Sequence, residues 1–327
     1  MILSILAVVI GLVILVWSAD RFVDGAVGVA QFLGMSTFLI GMLVVGFGTS
    51  APEMVVSVLS ALNDTPQLAL GNAYGSNIAN IALILGATAV VAPVVVKKQA
   101  MSRDIPILIL VTGLTFFLIK DGNVSFGDGA VLLIAFVAIT LFNIWLELKD
   151  KRKKENSSDE SENKIVKTSI VKSLLWLIAG LVLLVVSSRM LVWGAVNIAQ
   201  TLGVSDLLIG LTIVAIGTSL PELASSIAAA RRGENDLAVG NVIGSNLFNT
   251  LVVVGIAAVI APINAMEPAV LSRDLPIMSV LTLLLFLVCF SIKKKNGKRN
   301  FGFGRVIGAF FLLLYVGYLT LLGVGAA

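Results

Sequence analysis

The chain has no histidine, one cysteine and few charges, with Asp, Glu, Lys and Arg making up only 13% of 327 residues. Without histidine there is no HExxH zinc-protease motif and no imidazole relay, so any proton-linked step falls to carboxylates. The single cysteine, Cys289, excludes an intramolecular disulfide and a cysteine-ligated metal cluster, and it gives no sign of redox chemistry. So little charge beside 58% hydrophobic residues and a mean hydropathy of +1.03 excludes a soluble domain and describes a polytopic membrane protein. A net charge of +4 would suit a nucleic-acid partner, but the basic residues flank apolar runs, where membrane orientation accounts for them. Residues Met1 to Trp17 are apolar without a basic leader, which reads as a first membrane helix rather than a cleaved signal.

Crossing a bilayer takes about 20 residues of helix. On that scale the apolar runs predict an all-α membrane protein with ten spans, near residues 2–28, 37–61, 69–92, 104–119, 129–147, 170–198, 206–229, 238–261, 274–291 and 304–324. Between the fifth and sixth lies a polar stretch of mixed charge without apolar periodicity, read as a solvated linker. The halves on either side are copies: residues 18–93 align with 187–262 at a constant offset of 169, with 34 identities in 76 positions. The match resumes in SRDIP (Ser102 to Pro106) and SRDLP (Ser272 to Pro276). The organisation is therefore a first five-helix repeat at 1–148, a cytoplasmic linker at 149–169 and a second repeat at 170–327. Five spans is an odd number, so the second copy enters the membrane from the opposite side, the inverted-repeat plan of many secondary transporters.

The basic residues test this count. Of 23 Lys and Arg, 19 fall in loops after odd-numbered spans, whereas the other side keeps Lys120 and Arg273. The positive-inside rule then places the linker in the cytoplasm and both termini outside.

Within the apolar background, GTSAPE (Gly48 to Glu53) returns as GTSLPE (Gly217 to Glu222). A carboxylate at the centre of a membrane helix costs about 2.5–3.5 kcal/mol on insertion scales, so two of them call for bound cations, protonation or polar partners. At helical spacing, Thr49, Glu53 and Ser57 share one face with Ser50 close by, and Asn72, Ser76 and Asn80 share another beside Asn77. The second copy repeats this as Thr218, Ser219, Glu222 and Ser226, then Asn241, Ser245, Asn246 and Asn249. Pro52 and Pro221 lack the N–H that would bond the carbonyls of Gly48 and Gly217, leaving those carbonyls able to face an ion. Every candidate ligand is oxygen, which suits sodium, calcium or magnesium over copper or zinc, and calcium's 6 to 8 flexible ligands fit a four-helix site best.

GTSAPE with GNAYGSNIAN, and GTSLPE with GNVIGSNLFN, resemble the paired α-repeats of the sodium/calcium exchanger family within the cation/calcium antiporters. The resemblance covers both halves and implies ten helices in two inverted sets of five, with ions held between the second, third, seventh and eighth. It implies acidic ligands at Glu53 and Glu222, hydroxyl ligands at Thr49, Ser50, Ser76, Thr218, Ser219 and Ser245, and amide ligands at Asn80 and Asn249. A backbone-carbonyl ligand falls on Ala215, opposite Gly46 in the first copy. Some microbial members that resemble this chain carry Asp where one deep Asn stands; both Asn80 and Asn249 are amides here, so ion stoichiometry does not carry over. The short linker has no room for the large calcium-sensing domains of animal exchangers.

Each feature also has a structural reading. Membrane Asn, Ser and Thr often only join helices, and Gly71, Gly75, Gly240 and Gly244 often mark close packing. Asp20, Arg21 and Asp24 read as structural, because Arg189 replaces Asp20 in the second copy. KDKRKK and KKKNGKR could attract anionic lipid, though orientation alone explains them. The expectation is a secondary active sodium/calcium antiporter, not an enzyme, working by alternating access in a prokaryotic plasma membrane. It would need no cofactor, its partners being the transported calcium and sodium ions and membrane lipid, with no nucleic acid or obligate protein partner. The alternatives are proton- or potassium-coupled cation antiport and, in another class, a cation channel.

Overall fold

The computed structural model describes residues 1–63, 65–156, 169–203, 215–264, 266–289, 294–295, 298–299 and 301–325. The architecture is all-helical apart from short strand pairs. In chain order the helices are α1 (Ile2–Leu33), α2 (Thr37–Thr49), α3 (Ala51–Leu62), α4 (Gln67–Val91), α5 (Ala100–Ile119), α6 (Phe126–Asn156) and α7 (Ile170–Thr201). They continue as α8 (Ala215–Thr218), α9 (Leu220–Arg231), α10 (Asn235–Ile260), α11 (Val270–Cys289) and α12 (Arg305–Gly325). Among the described residues eight helices are long and apolar enough to cross a membrane, or nine when α2 and α3 count as one bent span. The expected seventh span, near 206–229, lies partly outside the described residues, which contribute α8 and α9 to it.

Four elements differ from the sequence reading. The fourth and ninth spans, expected at 104–119 and 274–291, each begin earlier with a π-helical turn, Ala100–Asp104 and Val270–Asp274, giving 20 residues apiece. α6 runs on to Asn156, so the start of the expected linker is helical, as its Lys, Arg and Glu favour once a helix is already under way. The second span is not one straight helix. It bends by 47° between α2 and α3, where Pro52 withdraws an N–H one turn after Gly48.

Burial sorts the helices into a centre and a periphery. The most apolar stretches of α4 and α10 are 72% and 78% buried, whereas those of α1, α5, α6, α7, α11 and α12 lie between 17% and 39% and turn large apolar side chains outward, as lipid-facing helices do. Glycine sets how closely the backbones meet. A Cβ on Gly240 or Gly244 would fall 2.3 Å from Phe38 O or 2.2 Å from Met42 O, so α10 lies directly against α2. Gly71 and Gly75, read equally as packing glycines, have no heavy atom within 4 Å of an added Cβ.

α1 and α7 form a separate close pair. Gly194 meets Ser4, Gly11 meets Leu191, Gly180 meets Phe22 and Gly25 meets Leu177, a descending register that makes them antiparallel. The two halves also interlock. Gly308 of α12 sits on Gly86 of α4, and Gly129 of α6 on Gly255 of α10, so the last helix of each half packs on the third helix of the other. Strands β1 (Val94–Val96) and β4 (Phe301–Phe303) pair antiparallel, and Val124 bridges Ile263 at a second place, while β2 (Lys294–Lys295) and β3 (Lys298–Arg299) form a small hairpin. Gly302 is required at β4: its φ is 138° and a Cβ there would strike Val94 O at 2.1 Å.

Arg232, just past α9, pairs with Asp20 at 3.3 Å and with Asp24, joining α1 to the core at one end. The hydrogen bond that Arg232 donates to Asp24 is the main cause raising its pKa. Arg21 bonds Asp24 at 3.0 Å and lies 5.8 and 5.5 Å from the Trp17 and Trp176 ring centres.

Gly244→Ala is expected to destabilise the purified protein by about 1–3 kcal/mol, because a backbone carbonyl cannot move aside for the methyl. Gly113→Ala, on an exposed face of α5 with nothing within 4 Å, is expected to leave the melting temperature unchanged or raise it slightly. Thermal unfolding in detergent distinguishes the two.

Candidate cation site

The site begins with two helix breaks that the duplication makes alike. Ser50 ends α2 with φ −85° and ψ 3°, and Ser219 stands between α8 and α9 with φ −91° and ψ 6°. Backbone bonds still reach both break serines, Ser50 N–H to Gly46 O and Ser219 N–H to Ile216 O, but each proline removes one amide from the ladder. A half-helix C-terminus is partially negative and suits a cation; an N-terminus is partially positive and suits a carboxylate. Glu53 and Glu222 occupy the first turns of α3 and α9, directly after Pro52 and Pro221.

Ser50 and Ser219 hold the N-cap positions of those helices, where serine ordinarily accepts a bond from the turn above, yet neither caps. Ser50 Oγ donates across the structure to Glu222 Oε1 at 3.5 Å, and Ser219 Oγ has no protein partner. The break also replaces the expected straight-helix face: Thr49 and Glu53 belong to different helices, and both reach the site because the chain turns between them. Ser50 of the first repeat bonds Glu222 of the second, and Glu53 lies close enough to act on that charge, so the two repeats meet at their carboxylates.

The surroundings are dry. Thr49, Ser50, Glu53, Asn80, Ser219, Glu222, Ser245 and Asn249 are each at most 2% exposed, and Ser76 is 6% exposed. Thr218 is half-buried, and Ala215 opens α8 one turn before the second break. On one flank Phe248 packs between Phe47 and Phe136, with ring centres 5.6 and 4.8 Å away, and the gap there is about 10 Å³, no more than one water probe.

Many of these polar atoms have no protein partner. Glu53 Oε2, Glu222 Oε2, Ser219 Oγ, Ser245 Oγ and both amide atoms of Asn249 are buried without a hydrogen bond. A buried polar group left unpaired costs about 1–3 kcal/mol, and more when charged, so the two unpaired carboxylate oxygens above all mark oxygens kept for a ligand. With two carboxylates, no third acidic, histidine or cysteine side chain joins them among the described residues. Such a set matches a hard cation whose remaining ligands are neutral oxygens.

Other sequence candidates are bound up in helix joining. Asn80 donates to Asn246 at 3.1 Å, Asn77 to Thr250 at 2.7 Å, and Ser57 to Val253 O at 2.6 Å. These bonds tie α3 and α4 to α10. Asn241 does more than join: its Nδ2 donates to Ser226 at 3.0 Å and Ser225 at 3.1 Å, while its Oδ1 accepts from Thr49 at 3.2 Å. Ser225 spends its own proton on Glu222 O, which fixes it as acceptor and fixes the amide's orientation. Asn241 thus clamps the first turns of α9 and, beside Val45 O at 3.1 Å, offers the Thr49 hydroxyl an acceptor from the other repeat. Its first-repeat counterpart Asn72 is half-buried with an unpartnered Nδ2, and Val56 stands where Ser225 would be. The freed carbonyls also differ from expectation. Gly217 O accepts from Ser188 Oγ of α7 at 2.9 Å and is not left open. Ser188 carried no sequence signal, since its counterpart is Ala19.

With this geometry in view, the comparison with known proteins is direct. A family profile described as sodium/calcium exchanger protein matches residues 3–145 and again 172–324, taking in both halves. The chain belongs to the sodium/calcium exchanger family. It is 41% identical over 322 residues to the proposed antiporter CaxA of Alkalimonas amylolytica, covering 98% of this chain and 99% of that one. It is 38% identical over 300 residues to the inner membrane protein YrbG of Escherichia coli, covering 91% and 92%. Its fold is similar to the solved sodium-calcium exchanger NCX_Mj, with a TM-score of 0.80, 32% identity and 98% of each chain covered. Family membership makes this chain a transporter rather than an enzyme.

Asn241→Ala is expected to lower stability by about 2–3 kcal/mol, because it strips partners from Thr49, Ser225 and Ser226 together. Asn72→Ala, removing an amide whose Nδ2 is unpaired, is expected to cost far less. Melting temperatures of the two variants without added cation test the contrast.

Proposed function

We propose that the chain is a secondary active antiporter that exports calcium in exchange for sodium. The reading is carried by one observation: in a member of this family, Glu53 and Glu222 meet inside the protein at two matched helix breaks, each with an oxygen that no protein group satisfies. The ligands in this reading are Glu53 and Glu222, the hydroxyls of Thr49, Ser50, Ser76, Thr218, Ser219 and Ser245, the amides of Asn80 and Asn249, and the carbonyl of Ala215. Two carboxylates neutralise one divalent cation, or are satisfied by monovalent cations helped by neutral oxygens, so both kinds of ion compete for one place. Structures of NCX_Mj with sodium, strontium or calcium soaked in support the same pair of ions here. Asn249 is an amide, and its unpaired oxygen adds a ligand without adding charge.

Alternating access in this reading uses ten spans in two inverted repeats, residues 1–148 and 170–327. The antiparallel course of α1 and α7, the first helices of the two repeats, supports the inversion. The pairing of α1 with α7 and the interlocking of the remaining helices support a moving pair against a fixed core. The distribution of basic residues supports a cytoplasmic segment at 149–169 with both termini outside, and the likeness to an inner membrane protein supports a prokaryotic plasma membrane. Lipid is then the surrounding solvent, and the cycle requires no protein partner.

Uptake of radiolabelled calcium into sodium-loaded proteoliposomes tests the proposal, with outward sodium, potassium and proton gradients compared. Sodium-dependent uptake is expected, falling to background in Glu53→Gln and in Glu222→Gln. Both variants are expected to melt at or above the wild-type temperature without cation, since an amide is cheaper to bury than a charge. Undiminished exchange in both would overturn the site, and uptake driven by protons or potassium alone would change the coupling ion.

A further inference from the structure

The break between α8 and α9 exists because Pro221 cannot bond Gly217 O, and that carbonyl is answered from outside its own helix. Ser188 Oγ donates to it at 2.9 Å, and Ser188 is only 4% exposed. One turn along the same face of α7, Val192 fits against Gly217 so closely that a Cβ on the glycine would fall 2.2 Å from a valine methyl. α7 therefore grips this break with an apolar contact and a hydroxyl four residues apart. The first repeat is built differently. Ala19 replaces Ser188 and has no hydroxyl to offer Gly48, whose added Cβ would meet Leu181, also of α7, at 2.8 Å. Of the paired outer helices, α7 thus touches both breaks and bonds one.

We propose that Ser188 is a positioning residue for transport: its bond to Gly217 O links the place of α7 to the geometry of Ser219 and Glu222, a link that the first repeat lacks. The proposal deepens the exchange reading and rests on it for the consequence in transport. Gly217 O is two residues before Ser219 and five before Glu222, so fixing the carbonyl fixes the turn from which both side chains project. A movement of α7 along the core would break this bond and loosen that turn. Cation affinity at the Glu222 half of the site then depends on where α7 stands, whereas the Glu53 half has no hydroxyl link of this kind.

The test compares Ser188→Ala, Ser188→Thr and Ser187→Ala in two assays. Ser187 serves as control because its hydroxyl bonds carbonyls of its own helix, Leu183 at 2.6 Å and Leu184 at 3.1 Å. In sodium-driven calcium uptake, Ser188→Ala is expected to raise the half-saturating calcium concentration about two- to tenfold, the range of one lost hydrogen bond, without lowering the maximal rate. Ser188→Thr is expected to restore the wild-type value, and Ser187→Ala to match it. In amide hydrogen exchange of the protein in lipid nanodiscs, residues 216–223 are expected to exchange faster in Ser188→Ala and not in the other two. An unchanged half-saturation, a fall in maximal rate alone, or unchanged exchange in that segment overturns the proposal. If the wild-type protein moves no calcium under any gradient, the exchange reading fails, while amide exchange still decides whether Ser188 holds the break.

Discussion

Two carboxylates facing one another out of contact with water are the constraint around which the chain is organised. Their mutual repulsion and the cost of removing each from water would expel them from an ordinary helix packing, so the backbone must supply compensation locally. It does so by breaking both helices immediately before the glutamates. Each carboxylate then sits in the first turn of a half-helix, and the carbonyl end of the preceding half-helix arrives beside it. Prolines at 52 and 221 make the breaks, and the flanking glycines admit the neighbouring helices. Ser50 and Ser219 give up their capping bonds to face the site. In the exchange reading, the energy lost in caps and unpaired oxygens is what a bound cation would recover.

The same constraint explains the central pair of helices. α4 and α10 are the most buried because they carry many of the chain's amides and hydroxyls, groups that are costly facing lipid. Their cross-bonds, Asn77 to Thr250 and Asn80 to Asn246, run between repeats rather than within one. The crossed glycine contacts and the β1–β4 pairing do likewise. The polar interior is therefore closed by bonds between the repeats, and the duplication matters physically because each copy supplies partners to the other.

Much of this was legible in the sequence. The doubled GTSxPE tract, the internal offset and the alternation of basic loops led to membrane helices, an intramembrane acidic pair and the family. Periodicity was less informative near the prolines, because it presumes a continuous helix: Thr49 and Glu53 do meet, but across a bend rather than along one face. It also could not separate ligands from joiners. Asn80, Asn241 and Asn246 look alike in the sequence, and their roles depend on partners about 166 to 192 residues away. The turns that lengthen the fourth and ninth spans escaped because an extra residue in a helical turn changes the hydrogen-bond pattern without changing composition.

Departures from the repeat are as informative as the repeat itself. Both copies keep the glutamates, prolines and break serines, the residues that make the two helix breaks. Where the copies differ, the residue serves one side of the membrane or one outer helix. Asp20 and Asp24 hold Arg232 at one end of α1, but Arg189 and Trp193 stand at the matching positions of α7, so the opposite end has no such ion pair from those positions. Asn241 bonds Ser225, whereas the counterpart of Ser225 in the first repeat is Val56, which has no hydroxyl to offer Asn72. A perfectly symmetric pair of repeats would make inward- and outward-open states equal in energy. Differences of one or two hydrogen bonds, each about 0.5–1.5 kcal/mol, are sufficient to set the resting preference between them about two- to a hundredfold from unity. The unequal residues around α1 and α7 are therefore where a chain made of two copies acquires a direction.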